Sequence, residues 1–273
     1  MSQLPRSIHL TGVTNARELG GIPAAGGRKV RNGLLLRTGA LCDGTADDLR
    51  RLEQVYHLAW VADFRTLKEA MARPDPPSHG TSFYHLLVID ESRSDMGAAT
   101  GSVASHGWSA DSEAMVGMAR RNVFGPEAYC ELLFTAWGLE AYRAFFDLAL
   151  KNDGEHALLF HCSAGKDRTG IGGVLLLSAL GAEREAAVAD YVLTNEYVAH
   201  DIARVEEYAR THYPQEAEAL SPAIRATVGV AQVTMDRMLD EIDARYGSMD
   251  AFLAGPMGLN SRKLDQLRAI YLE

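Results

Sequence analysis

Ala157-Leu158-Leu159-Phe160-His161-Cys162-Ser163-Ala164-Gly165-Lys166-Asp167-Arg168-Thr169-Gly170, followed by Ile171 to Leu180, is the stretch that decides the fold. Ala157 to Phe160 is a short apolar run of buried-strand type, and Ile171 to Leu180 reads as an apolar helix. Strand, tight loop and helix in this order aim successive backbone N–H groups at one point. The helix dipole adds roughly half a positive charge there. The unit predicts an α/β chain with an anion site at the loop.

Phosphoryl transfer depends above all on positioning and charge stabilisation. The amides of Ser163, Ala164, Gly165 and Lys166 can hold three phosphate oxygens, and Gly165 permits the positive φ such a turn needs. Cys162 stands at the base of the loop. A thiol beside a helix N-terminus and a cation is favoured as thiolate. Arg168 lies six residues on, so the loop can bring both to one anion. Its planar guanidinium binds two phosphate oxygens at once, which an ammonium cannot. Thr169 can donate its hydroxyl to the sulfur, and His161 orients the loop by hydrogen bonds. Lys166 is either a second phosphate ligand or a solvated lysine. A cysteine at a strand end is by itself usually core packing; here the combination of His, Cys, Gly, Arg and Thr carries the reading. Cys42 and Cys130 lack such a context and read as packing. Gly165-Lys166 is not a nucleotide-binding loop, because Asp167 follows where Ser or Thr is needed. Gly170, Gly172 and Gly173 read as close helix packing. No spacing suggests a metal, and no cofactor is expected.

Upstream, Leu34 to Arg37, Leu58 to Val61 (ending at Asp63) and Phe83 to Ile89 read as strands. Thr45 with Asp48 forms an N-cap before a helix. Pro74, Pro76 and Pro77 break the chain. Glu91 to Gly125 is rich in Gly, Ala, Ser and Met, with a helix near Ser112 to Arg121; it reads as a lid or mobile insertion. Helices are expected at Glu183 to Thr194, Asn195 to Thr211, Thr227 to Tyr246 and Ser261 to Tyr271, with Gly181 and Gly247 as C-caps. No linker stands out, so 1–273 reads as one domain with a helical C-terminal half.

Composition narrows the partners. A chain of 273 residues, 47% apolar, can bury a sizeable core. Its net charge of −9 argues against nucleic acid, whose binding needs clustered Lys and Arg. Three cysteines at no short spacing are neither a disulfide framework nor a zinc site, which fits a reducing compartment. The N-terminus is not a Sec-type signal peptide, and the apolar stretch Ile171 to Leu180 is too short to span a bilayer. The expectation is a cytoplasmic protein, or one exported without a recognisable signal.

His161-Cys162-x5-Arg168-Thr169 resembles the signature of the protein tyrosine phosphatase superfamily. The full string to Gly170 resembles the atypical bacterial tyrosine and lipid phosphatases typified by mycobacterial protein tyrosine phosphatase B. Asn15-Ala16-Arg17-Glu18, Arg37-Thr38-Gly39, Asp63-Phe64-Arg65, Asp190-Tyr191, Asn195 and Tyr246-Gly247-Ser248 extend the similarity over most of the chain. The resemblance implies a central, mainly parallel sheet flanked by helices, a phosphocysteine intermediate and no metal. It also implies that Lys166 goes with activity on phosphoinositides besides phosphoproteins. The Trp-Pro-Asp loop of ordinary tyrosine phosphatases is missing; Arg73-Pro74-Asp75 is the nearest string and reads as a turn. Leaving-group protonation is worth about 10² to 10⁴ in rate. Asp167, inside the loop, is the first candidate for that acid, with tying the loop by hydrogen bonds as its plain alternative. Asp63 is the second, with an N-cap for Thr66 to Ala72 as its plain alternative.

The expected substrates are phosphorylated proteins, phosphoinositides or small phosphate esters, with inhibition by phosphate- and vanadate-type anions. A catalytically weak phosphate- or phosphoinositide-binding module is the alternative. A sulfur-transfer or thiol-redox enzyme is disfavoured, since no resolving Cys lies near Cys162.

Overall fold

The computed structural model describes residues 4–89 and 111–273. Among these residues five strands form one sheet: β1 (Arg17–Glu18), β2 (Leu35–Thr38), β3 (Leu58–Asp63), β4 (Ser82–His85) and β5 (Ala157–His161). Their order is β1-β2-β5-β3-β4, and only the β1–β2 pair is antiparallel. β5 is buried along its whole length. A strand apolar on both faces belongs in the middle of a covered parallel sheet, and β5 lies between β2 and β3. Thr38 of β2 and Asp63 of β3 both pair with His161. Three strands therefore finish together at one edge, where the order reverses and ligands bind in open α/β sheets.

Side-chain alternation divides the core. Leu158 and Phe160 point into a large cluster with Phe64, Phe145 and Val174. Ala157 and Leu159 point the other way, to Ile8, Val13, Leu36, Leu52 and Val61. The second face is covered partly by α1 (Ala46–Gln54), started by a Thr45–Asp48 capping box. A second capping box, Thr66 with Glu69, starts α2 (Leu67–Ala72). Then follow α3 (Ser112–Arg120), α4 (Pro126–Phe134), α5 (Ala136–Ala149), α6 (Asp167–Ala179) and α7 (Arg184–Val192). The rest are α8 (Thr194–Tyr197), α9 (Ala199–His212), α10 (Ala217–Val228), α11 (Gln232–Tyr246), α12 (Met249–Ala254) and α13 (Ser261–Tyr271).

Several expectations need correction. The strand expected over Phe83 to Ile89 pairs only over Ser82–His85; Val88 and Ile89 leave the ladder and enter the core. The helix expected over Thr227 to Tyr246 is broken after Val228 and restarts at Gln232. α10 was not anticipated, and it carries Pro222 inside it. The helix expected from Asn195 divides into α8 and α9. Gly181 and Gly247 do end helices, at φ of +80° and +86°. At Gly181 the Ala182 N–H reaches the Leu177 carbonyl at 3.0 Å, closing a Schellman motif. Of the segment expected to form a lid, residues 91–110 lie outside the described residues. Its remainder holds α3, whose Met115, Val116 and Met118 are buried. No helix among the described residues is long and apolar enough to cross a membrane.

Candidate active site

The loop from Cys162 to Lys166 joins β5 to α6, and its shape is fixed from behind. Gly165 has φ of +68°, and a Cβ there would collide with the Thr38 carbonyl. The Ser163 carbonyl accepts from the Ala40 N–H at 3.0 Å. Asn15 Nδ2 donates to the carbonyls of Gly165 (2.8 Å) and Ala164 (3.3 Å), and Arg37 Nη2 donates to Gly165 at 2.9 Å. Across a trans peptide the C=O and N–H point opposite ways. Carbonyls tied down on one side leave the following amides facing the other, toward an anion.

Asp190 organises those supports. Its carboxylate accepts from Arg37 Nη1 at 2.6 Å and Arg17 Nε at 3.2 Å, and pairs with Arg6. Arg17 also donates to the Asn15 side chain. Burial opposes ionisation of Asp190, but the arginines override it and push its pKa far down. Burial, then Arg37, lower Arg17 to about 10.

Cys162 is 2% exposed and Arg168 4%. Arg168 is held through both nitrogens by Glu69, at 2.6 and 2.9 Å. Ser163 Oγ donates to the same carboxylate at 2.5 Å, and the Thr66 N–H caps it at 2.8 Å. Burial would raise the Glu69 pKa, yet Arg168 outweighs burial and brings it down to about 2. The guanidinium is thereby anchored beside the loop. Thr169 Oγ1 is buried without a hydrogen-bond partner, so the bond to sulfur expected for it is not made here.

Asp167 opens α6. Tyr129 Oη donates to its Oδ1 at 2.6 Å, and Lys166 Nζ lies 3.3 Å from its Oδ2. Lys166 is fully buried. Its ammonium also donates to the carbonyls of Thr227 and Gly229, and sits 4.4 Å from the centre of the Phe124 ring. Burial lowers its pKa, with Asp167 acting the other way.

Asp63 ends β3 away from these groups' hydrogen bonds. Arg65 grips both its oxygens, at 2.8 to 3.0 Å, and also pairs with Asp75 at 2.7 Å. Thr66, not Asp63, is the N-cap of α2. His161 Nε2 lies 3.1 Å from Asp75, and its Nδ1 lies 3.1 Å from the Cys162 carbonyl oxygen. Burial disfavours the imidazolium, but Asp63 and Asp75 prevail and raise the His161 pKa. Burial likewise opposes the Asp63 carboxylate, and His161 with Arg65 bring it down to about 2. Asp63, Asp75 and His161 have ligand atoms within 4.8 Å of one another; the Arg65 guanidinium already supplies positive charge to both carboxylates.

A central-strand loop that presents a thiol, a clamped guanidinium and inward-facing amides is the equipment of a phosphatase. The chain matches the tyrosine phosphatase family over residues 8–273, and it belongs to that family. An inferred tyrosine-protein phosphatase of Cupriavidus necator is 32% identical over 95% of this chain and 86% of its own length. The triple specificity protein phosphatase PtpB of Mycobacterium tuberculosis is 32% identical over 42% of this chain and 44% of its own. A tyrosine-protein phosphatase of Nostoc commune is 30% identical over 46% of this chain and 42% of its own.

Of the residues named from sequence, Arg168 and Ser163 share the Glu69 carboxylate and Lys166 lies beside Asp167, whereas Thr169 Oγ1 has no hydrogen-bond partner among the described residues and His161 and Asp63 join a separate cluster with Arg65 and Asp75. Glu69, Asp75 and Tyr129 were missed. Thr66-x-x-Glu69 was legible as a capping box, but nothing local says that the same carboxylate also holds Arg168.

Proposed function

We propose that this phosphatase works through a phosphocysteine, and that residues 1–273 form the single domain that carries the reaction. Cys162 Sγ attacks phosphorus while the bond to the leaving oxygen breaks, and Asp167 gives that oxygen its proton. Water then attacks the phosphocysteine, the S–P bond breaks, and Asp167 takes the proton the water sheds. Arg168 and the amides of residues 163–168 stabilise the equatorial oxygens throughout. The observation that carries this reading is the capture of the Ser163, Ala164 and Gly165 carbonyls from behind. Asp63 is the poorer candidate, since Arg65 donates to both of its oxygens and leaves neither free to give up a proton. Phosphotyrosine is the first substrate class, by family. Phosphoserine, phosphothreonine and phosphoinositides are the further classes that the loop's resemblance implies, and a relative named as a triple specificity phosphatase is in keeping with more than one substrate class.

Cys162→Ser tests the mechanism. The variant should lose turnover of phosphotyrosine and phosphoinositide alike, yet still bind inorganic phosphate or vanadate through Arg168 and the amides. Substantial hydrolysis by purified Cys162→Ser would rule out the thiolate route.

A further inference from the structure

Asp167 is not positioned by its own loop alone. Tyr129 comes from α4 and Tyr191 from α7, and their hydroxyls lie 2.8 Å apart, with Tyr129 donating onward to Asp167 Oδ1 at 2.6 Å. The two rings meet edge to face at 6.1 Å. Tyr191 reaches this place because Gly170 has no side chain: a Cβ there would stand 2.8 Å from the Tyr191 ring. The glycine that closes the loop string thus makes room for the tyrosine that backs the acid's partner. Both tyrosines are buried. Burial first, and the Asp167 charge second, keep the Tyr129 phenol protonated far beyond its ordinary range.

We propose that Tyr129, backed by Tyr191, is a positioning residue for leaving-group protonation. The inference rests on the reading of Asp167 as the general acid. When Asp167 is in its acid form, a phenol donated to Oδ1 favours Oδ2 as the oxygen that carries the proton. Tyr129 therefore fixes the carboxyl plane and selects the oxygen that donates. Lys166, 3.3 Å from Oδ2, favours the carboxylate left once the proton has gone to the ester oxygen. In the second step the same oxygen takes the proton of the attacking water, and the Tyr129 hydrogen bond is undisturbed.

The test compares Tyr129→Phe, Asp167→Asn and the double variant on phosphotyrosine and on 4-nitrophenyl phosphate, whose leaving group departs without a proton. A displaced acid forfeits part of its catalytic factor. Tyr129→Phe should lower kcat on phosphotyrosine by about 10- to 100-fold, with KM little changed and kcat on 4-nitrophenyl phosphate down by less than about twofold. In the Asp167→Asn background it should cost nothing further, because the two act as one unit. Equal losses on both esters with an unchanged Tm, or additive losses in the double variant, would overturn the proposal. A uniform loss with a lowered Tm is decided by Tyr191→Phe, which must then show the leaving-group pattern in weaker form. Should Asp167→Asn itself show no leaving-group dependence, the acid reading fails and takes this inference with it. If Asp167→Asn shows it and neither tyrosine variant does, only the inference fails.

Discussion

Arg168 is useful to a phosphate only if its guanidinium is already in place, and Glu69 places it. The arrangement puts a carboxylate in the interior, where it is tolerated because Arg168, Ser163 and the Thr66 N–H all serve it. Its pKa, down from 4.5 to about 2, makes the pair pH-sensitive. A depressed carboxyl contributes stability that is complete above its unfolded value and lost as pH falls through the folded one. The window for Glu69 is therefore between pH 4.5 and about 2, and the shift is worth on the order of 3 kcal/mol. Urea unfolding at pH 7 and pH 3 should show a steep acid loss in the wild type and a shallower one in Glu69→Gln. Asp63, brought down to about 2 by His161 and Arg65 against the effect of burial, leaves the remaining slope. An unchanged slope in Glu69→Gln would mean the pair does not stabilise the fold. Such partnerships are illegible in sequence for a plain reason. Glu69 and Arg168 lie 99 positions apart, and nothing in either neighbourhood names the other.

The strand, loop and helix unit was legible because its determinants are local: an apolar run, a glycine where φ must be positive, and an apolar helix. Gly165→Ala tests how tightly the element is specified. Positive φ costs an alanine about 1–2 kcal/mol, and here the added Cβ also meets the Thr38 backbone. The loop should be rebuilt, with activity lost and stabilisation by phosphate abolished, while helical circular dichroism is retained. Gly247→Ala is the control. Its φ is +86°, but nothing lies within 4 Å of the added Cβ, so it should cost about 1 kcal/mol and spare activity. Equal effects of the two would show that conformation alone, not the approach of Thr38, constrains the loop. Where an element's bounds depend on distant groups, sequence reading failed. The break between α10 and α11 is one case. Asn195 bonds both backbone groups of Val230, and a Cβ on Gly229 would strike the same amide. Periodicity runs across that break, so the helix looks continuous in sequence. At β4 the apolar run continues to Ile89, but pairing ends at His85 because Val88 and Ile89 turn into the core.

At the scale of the whole molecule, Lys166 joins the catalytic loop to the C-terminal helices. Its ammonium meets the Thr227 and Gly229 carbonyls at the end of α10, where the helix dipole favours a cation. Asn195 in turn holds the following turn through Val230. Sequence reading left Lys166 as a phosphate ligand or a solvated surface lysine, and it is not solvated, being fully buried. A substrate phosphate could engage it only by drawing it from those carbonyls and from Asp167. Lys166→Met separates anchoring from phosphate contact in one experiment. As an anchor, the lysine's loss leaves two carbonyls without this donor and Asp167 without its cation. Stability should fall by about 3 kcal/mol even without phosphate. Thermal unfolding with added phosphate should still show a rise in Tm, because Arg168 and the loop amides remain. Singly and multiply phosphorylated substrates should then lose activity to a similar degree. The opposite pattern is unchanged stability without phosphate, a lost phosphate-induced rise, and selective failure on multiply phosphorylated head groups. That result would make Lys166 a substrate ligand and its contacts with α10 incidental.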